Sequence, residues 1–187
     1  MLNAEHISPL RAMPMLRSTY HRLGELGVYE GRRVQLIYGT VIDMSPMGSP
    51  HANAIRVLNR HFVTHAPASI DVLVQLPLAV AEDSEPEPDF AFVSAANISD
   101  VDHPASALLV VEIADSSLKL DLGPKVQLYA QCGVPEYWVI DLKSRVTIVH
   151  TSPRRRKYSK VQRISWASRL TSKAVSGLEV RLSEVLR

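Results

Sequence analysis

The feature that most narrows the fold is a pair of apolar runs, ALLVVEIA (107–114) and VPEYWVID (134–141), with a helix-patterned stretch between them. Each run is short and rich in β-branched or aromatic residues, as a strand buried on both faces is. Two such strands joined through a helix have one common solution. They lie parallel in one sheet, and the helix crosses over in the right-handed sense. Strands outside this unit are expected to pair as antiparallel hairpins, giving a mixed α/β sandwich.

The remaining elements follow from local chemistry. Residues 19–27 predict a short helix ended by Gly27, and 32–46 predict two strands broken near Tyr38–Gly39, a hairpin. Ser49 as N-cap with Pro50 at the first helical position opens a helix to about His65, which Ala66–Pro67 closes. Residues 69–80 predict a strand bent at Pro77. The acidic, proline-rich loop AEDSEPEPD then delivers Asp89 to the strand FAFVSA. The crossover helix is expected from Asp121 to Cys132, capped by Gly133. A hairpin with Lys143–Ser144 at its tip follows, then smaller strands and a closing helical turn at 182–186. With 187 residues the whole chain, 1–187, is expected to form one domain, with residues 1–16 a loose lead-in.

Composition excludes several classes. Hydrophobic residues at 46% and charged residues at 21% fit a globular protein, and a formal charge of only +2 gives no global basic field for nucleic acid. A single cysteine, Cys132, rules out an internal disulfide framework and a multi-cysteine zinc site. The N-terminus lacks the apolar core of about 7 to 15 residues of a signal peptide, and no apolar run reaches about 18 residues. A cytoplasmic protein with no membrane span is therefore expected.

Three polar residues fall where apolar ones belong. Glu112 interrupts LLVVEIADSS and shares a strand face with Leu108, Val110 and Ala114. Lys125 joins Leu122, Tyr129 and Cys132 on the inward stripe of the crossover helix, and His51 joins Ile55, Leu58 and Phe62 on that of the earlier helix. A buried carboxylate costs several kcal/mol, by rough estimate, unless a cation holds it. Lys125 alone would make a structural ion pair. With Asp89 as a second carboxylate, Mg²⁺ or Mn²⁺ held through oxygen ligands is the other solution. An ammonium beside such a cation would stabilise a phosphoryl transition state, which is the minimal equipment for metal-assisted phosphodiester hydrolysis.

Four segments also carry a resemblance: Pro88–Asp89, VVEI around Glu112, the run from Asp121 through GVPEYWVID, and MSPMGSPH before the first long helix. Together they resemble the Uma2 endonuclease family of the PD-(D/E)XK, or restriction-endonuclease-like, superfamily, from about residue 18 to the GLEVRLSEVL ending. The resemblance implies a restriction-endonuclease-like core, a mixed β-sheet flanked by helices with additional antiparallel strands. It implies Asp89 and Glu112 as metal ligands, with the backbone carbonyl of Ile113 as a third. The superfamily lysine would fall at Ala114, and Lys125 takes its place. His51 matches a histidine common in the family, with a role in bonding the carboxylates or substrate phosphate. Where the family has an ELIDG-like segment this chain reads QLIYG, so Gln35 stands in place of an acid and Tyr38 in place of an aspartate. An amide can ligate through its oxygen but supplies no charge.

Two functions compete at this stage. One is a Mg²⁺-dependent DNA endonuclease, recruited to phosphates by the row Arg154, Arg155, Arg156 and Lys157. The other is a nuclease-fold module that binds nucleic acid or assembles, its catalysis weakened or lost through Gln35. The row of arginines reads equally as a solvated turn. A homodimer is compatible with either function, with VPEYWVID offering an apolar edge.

Overall fold

The computed structural model describes residues 13–186. Its helices and strands, in chain order, are α1 (Arg17–Glu25), β1 (Val34–Ile37), β2 (Thr40–Asp43), α2 (Ser49–His65), β3 (Ile70–Val74), β4 (Phe90–Ser94) and β5 (Leu109–Ala114). Then come α3 (Leu118–Asp121), α4 (Pro124–Gln131), β6 (Glu136–Asp141), β7 (Val146–Arg154), β8 (Lys157–Ser165), β9 (Leu170–Thr171), β10 (Glu179–Val180) and α5 (Leu182–Val185). Of the expected lead-in, residues 1–12 lie outside the described part. Residues 13–16 are irregular but tied down, with Met15 N–H donating to the Gly39 carbonyl at 3.1 Å.

Six strands form one sheet in the order β3-β4-β5-β6-β7-β8. Only β5 and β6 are parallel, with Leu109 opposite Glu136 through Ala114 opposite Asp141. The neighbouring pairs are antiparallel. The two apolar runs therefore supply the central parallel pair joined through a helix, as their pattern requires, and every residue of β5 and β6 is buried. VPEYWVID accordingly offers no edge for a partner. It lies mid-sheet, and the edges are β3 and β8.

Both faces of the sheet are covered. On one, Leu58 and Phe62 of α2 pack with Phe90, Phe92, Val111, Ile113, Trp138 and Ile140. Phe62 meets Phe90 edge-on with ring centroids 5.1 Å apart. On the other, Tyr129 and Ala130 of α4 pack with Val110, Ala114, Tyr137, Val139 and Ile148. The β1–β2 hairpin turns through Tyr38 (φ 50°) and Gly39 (φ 69°), the double positive φ of a two-residue turn. A Cβ on Gly39 would also sit 2.3 Å from the Pro14 side chain.

Several local expectations are corrected. Gly48 is the N-cap of α2, so Ser49 and Pro50 occupy its first two helical positions. The strand after α2 stops at Val74 because Gln75 turns to φ 52°. Leu108 does not share the face of Glu112. Its N–H bonds the Phe92 carbonyl although Leu109 is Phe92's partner, a bulge that breaks the alternation and sends Leu108 to the α2 side. The crossover helix is two pieces, α3 and α4, broken at Gly123 (φ −113°, ψ −102°), which leaves Leu122 exposed. The segment 157–165 is a nine-residue strand of the main sheet rather than a minor one.

Candidate active site

The site forms where β5 outruns its antiparallel neighbour. Pairing with β4 ends at Phe90 opposite Val111, so Glu112, Ile113 and Ala114 continue alone on that side. Asp89, one residue before β4, fills the gap. Its Oδ2 accepts the Ile113 N–H at 2.7 Å. The Ala114 carbonyl points the other way and accepts the Leu142 N–H beyond β6 at 3.1 Å. Because a strand's peptide groups alternate sides, the Ile113 carbonyl faces the same side as Asp89. Extending the register by two residues puts Pro88 opposite Ile113, and proline has no N–H to give that carbonyl.

Glu112 is aimed at the α4 side of the sheet. Its Oε1 accepts from Lys125 Nζ at 2.8 Å and from the Tyr129 hydroxyl at 3.2 Å. Both donors are on α4, four residues apart, which places them on one helical face. Asp121 ends α3, its Oδ1 3.6 Å from Lys125 Nζ. That is too far for a hydrogen bond, and Oδ1 has no donor at all although it is buried. Oδ2 accepts from the Ser117 hydroxyl. The break at Gly123 makes this arrangement: a Cβ there would lie 2.7 Å from the Lys119 carbonyl oxygen, so glycine lets α3 fold tightly against the start of α4.

Asp89 collects the other side chains. His51 Nε2 lies 2.9 Å from Asp89 Oδ1, and Gln75 Nε2 donates to the same oxygen at 3.2 Å. Gln35, on β1, is only 3% exposed, and its Oε1 accepts the Glu87 N–H at 3.4 Å. These groups line a cavity of about 280 Å³ that also reaches Arg33, Asp115 and the loop Met44–Gly48.

Electrostatics set the cavity apart. Burial pushes the Glu112 carboxyl up to about 8, with Asp121 and Asp89 adding to the rise and Lys125 opposing it. Burial also raises Asp121, despite Lys125 and the Ser117 hydroxyl. Burial works against the Lys125 ammonium, but Glu112 and Asp121 outweigh it and hold the pKa above its ordinary value. His51 follows the same logic: burial opposes its charge, while the bond to Asp89 and the nearby carboxylates raise it. Three buried carboxylates thus face one ammonium.

Residues 17–183 match the Uma2 family, described as "Putative restriction endonuclease". The chain belongs to the Uma2 family. Among solved structures it is similar to one described as "a putative nuclease belonging to DUF820" from Anabaena variabilis ATCC 29413. That match has a TM-score of 0.69 and 14% identity over 92% of this chain and 98% of the other. At that identity the likeness shows the fold, a restriction-endonuclease-like α/β core. No curated protein matches the chain.

In this Uma2 protein the structure gathers Asp89, Glu112, Lys125, His51 and Gln35 around one cavity, while Ile113 does not line it and meets the site through its N–H bond to Asp89. It does not bring Arg154, Arg155, Arg156 and Lys157 there. They form the β7–β8 turn, beyond Thr151 opposite Glu136, whereas the cavity lies toward the Asp141 end of β6. Tyr38 is likewise remote, with its ring under Arg156 at 5.3 Å and its hydroxyl 3.4 Å from Gln131. Sequence reasoning did not single out Asp121, Gln75 or Arg33. For the first, two signals were available: its spacing of four from Lys125 and its place at the head of the run that carries the resemblance. Gln75 sits at the turn that ends β3, where no periodicity aims a side chain, whereas the alternation that Arg33 shares with Gln35 was an available signal.

Proposed function

We propose that this Uma2 protein is a divalent-cation-dependent DNA endonuclease hydrolysing phosphodiester bonds, with Mg²⁺ or Mn²⁺ as cofactor. The observation that carries the reading is the charge imbalance at the end of β5, where Glu112 and Asp121 are buried against Lys125 and Asp89 is buried against His51. Glu112 and Asp121, which burial drives toward protonation, are carboxyls that a dication would return to their charged form.

The donor set fits a hard cation. Asp89 and Glu112 offer oxygen to the cavity, the Ile113 carbonyl would join them from the Asp89 side of β5, and Asp121 Oδ1 is a buried oxygen without a donor. Among the described residues no three His, Cys, Asp or Glu side chains converge as a ready-made metal cage. Mg²⁺ suits such a site, because it keeps several waters and takes one or two carboxylates. When bound, the cation would polarise the phosphate and lower the pKa of water.

The chain's own residues do the rest. Lys125, fixed between Glu112 and Asp121, holds positive charge where the phosphate gains negative charge in the transition state. His51 and Gln75 orient Asp89 through Oδ1. Gln35 adds a neutral amide oxygen to the wall. Arg154 to Lys157 would hold phosphates at the far end of the sheet, away from the reacting one. The enzyme would work in the cytoplasm, with a homodimer as one way to cut both strands.

Gln35 also supports a second reading, a nucleic-acid-binding or assembly module whose catalysis is weak or lost. Incubation of plasmid with Mg²⁺ or Mn²⁺ separates the two readings. The endonuclease nicks or linearises it, and Asp89→Asn does not. Salt-sensitive binding without cleavage above that variant would identify the module.

A further inference from the structure

Among the described residues, two lysine or arginine side chains line the cavity, and only one faces outward. Lys125 is 4% exposed at its side chain and occupied by Glu112, whereas Arg33 is 49% exposed and stands at the mouth. Arg33 lies one residue before β1, two from Gln35, so strand alternation sends both toward the cavity. Its backbone is fixed, since the Arg33 carbonyl accepts the Met44 N–H at 2.8 Å. Its guanidinium is only loosely held. Nη2 contacts Glu87 Oε2 at 3.1 Å, an exposed pair that a phosphate can replace with two parallel hydrogen bonds.

The mouth does not end at Arg33. A second cavity of about 570 Å³ shares Arg33, Asp43 and Met44–Met47 with the first and runs on to Gly31 and Arg32. Arg32 is 66% exposed, 3.8 Å from Asp43. In the same cavity Pro46 and Met47 present apolar surface, Met47 being 40% exposed. A trough lined by guanidinium groups and apolar side chains, with Asp43 as a loosely paired carboxylate that a phosphate can displace from Arg32, has the chemistry of one polynucleotide strand, phosphates to the guanidinium groups and sugar or base faces to the apolar surface.

We infer that this trough is the substrate track of the nuclease site. Arg33 clamps the phosphate next to the reacting one, and Arg32 clamps the phosphate beyond it. The inference rests on the nuclease reading above, and it makes Arg33 a substrate-positioning residue. An acidic cavity needs such a group, because its carboxylates repel an approaching polyanion and Lys125 is reached only from inside.

The test is fluorescence anisotropy with the full chain and a labelled single-stranded oligodeoxynucleotide, over a salt series without divalent cation, on variants with unchanged circular dichroism. Arg33→Ala weakens binding about tenfold and lowers the slope of log affinity against log salt by about 0.7. Arg33→Lys keeps the slope and part of the affinity, and Arg32→Ala/Arg33→Ala loses about twice the slope. Glu87→Gln, which breaks the ion pair but leaves the guanidinium, binds at least as tightly as wild type. In cleavage, Arg33→Ala raises KM and spares kcat. Wild-type affinity and slope in Arg33→Ala overturn the track, and so does equal weakening by Glu87→Gln, which would mark the pair as structural. Absence of wild-type binding overturns the track as well. If Arg33-dependent binding holds while wild type cuts nothing with Mg²⁺ or Mn²⁺, the nuclease reading falls and the track stands.

Discussion

Lys125 Nζ lies 2.8 Å from Glu112 Oε1 and 3.6 Å from Asp121 Oδ1, so one buried ammonium serves two buried carboxylates. Lys125→Met removes that ammonium and leaves both acids without a cationic partner among the described residues. In urea unfolding this should cost about 3 kcal/mol at mildly alkaline pH, above about 8 where Glu112 is ionised, and less near neutral pH, where Glu112 keeps its proton. Adding Glu112→Leu should recover most of the loss, since an apolar pair of similar volume avoids the desolvation. A single variant as stable as wild type would mean the ammonium is not compensating these acids.

The acidic cluster also fixes a pH dependence. Glu112 rises from an ordinary 4.5 to about 8 on folding, so between those values the unfolded chain has lost a proton that the folded chain keeps. Fewer protons on the unfolded state means that stability falls as pH rises through that window. Asp121 and His51, both raised, act in the same direction. Without divalent cation, Tm should fall from mildly acidic to mildly alkaline pH. Mn²⁺ at about 100 times its Kd should return about 2.7 kcal/mol, with the larger Tm gain at the alkaline end. Calorimetric scans across pH, with and without Mn²⁺, check this.

Gln35 is 3% exposed on the cavity wall, so Gln35→Glu adds a carboxylate to a site already short of positive charge. Metal-free unfolding free energy should drop by an amount on the order of 1–3 kcal/mol, lowering Tm, and Mn²⁺ affinity by calorimetry should rise. A gain in cleavage would show that the amide limits the wild-type reaction.

Glu136 supplies the contrasting case. It is 1% exposed in β6, yet Oε1 accepts from Trp138 Nε1 and Oε2 from the Ser172 hydroxyl and the backbone N–H groups of Lys173 and Ala174. Four donors satisfy this acid without any cation, and they tie the chain before β10 to the sheet. Glu136→Ala should cost about 3 kcal/mol by stranding those donors, while Mn²⁺ affinity stays at the wild-type value. Urea unfolding and calorimetry together separate the two effects.

Glu112 and Glu136 also show how far the sequence can be read. Each is an acid inside an apolar strand, and nothing local says which one takes a cation and which takes amide donors. The distinction lies in which segment packs above each: α4 with Lys125 over Glu112, the Ser172 turn over Glu136. The parallel pair was legible because apolar run, helix and apolar run admit one arrangement. Lys125 was legible because helical phase aims it inward, even though the helix proved to be broken at Gly123. Leu108 was misplaced because a one-residue bulge reverses strand alternation without a sequence signal. Asp89 came from the resemblance and its place before β4. The supporting bond from Gln75 depends on a positive φ that no pattern announces.

The most direct test of the account is plasmid cleavage with Mn²⁺ or Mg²⁺ by wild type beside Glu112→Gln, a nearly isosteric change that keeps a partner for Lys125 and Tyr129. The account predicts cation-dependent nicking by wild type, lost on chelation and reduced at least about 10²-fold in the variant. Equal cleavage by both proteins, or wild-type cleavage unaffected by chelator, would contradict it.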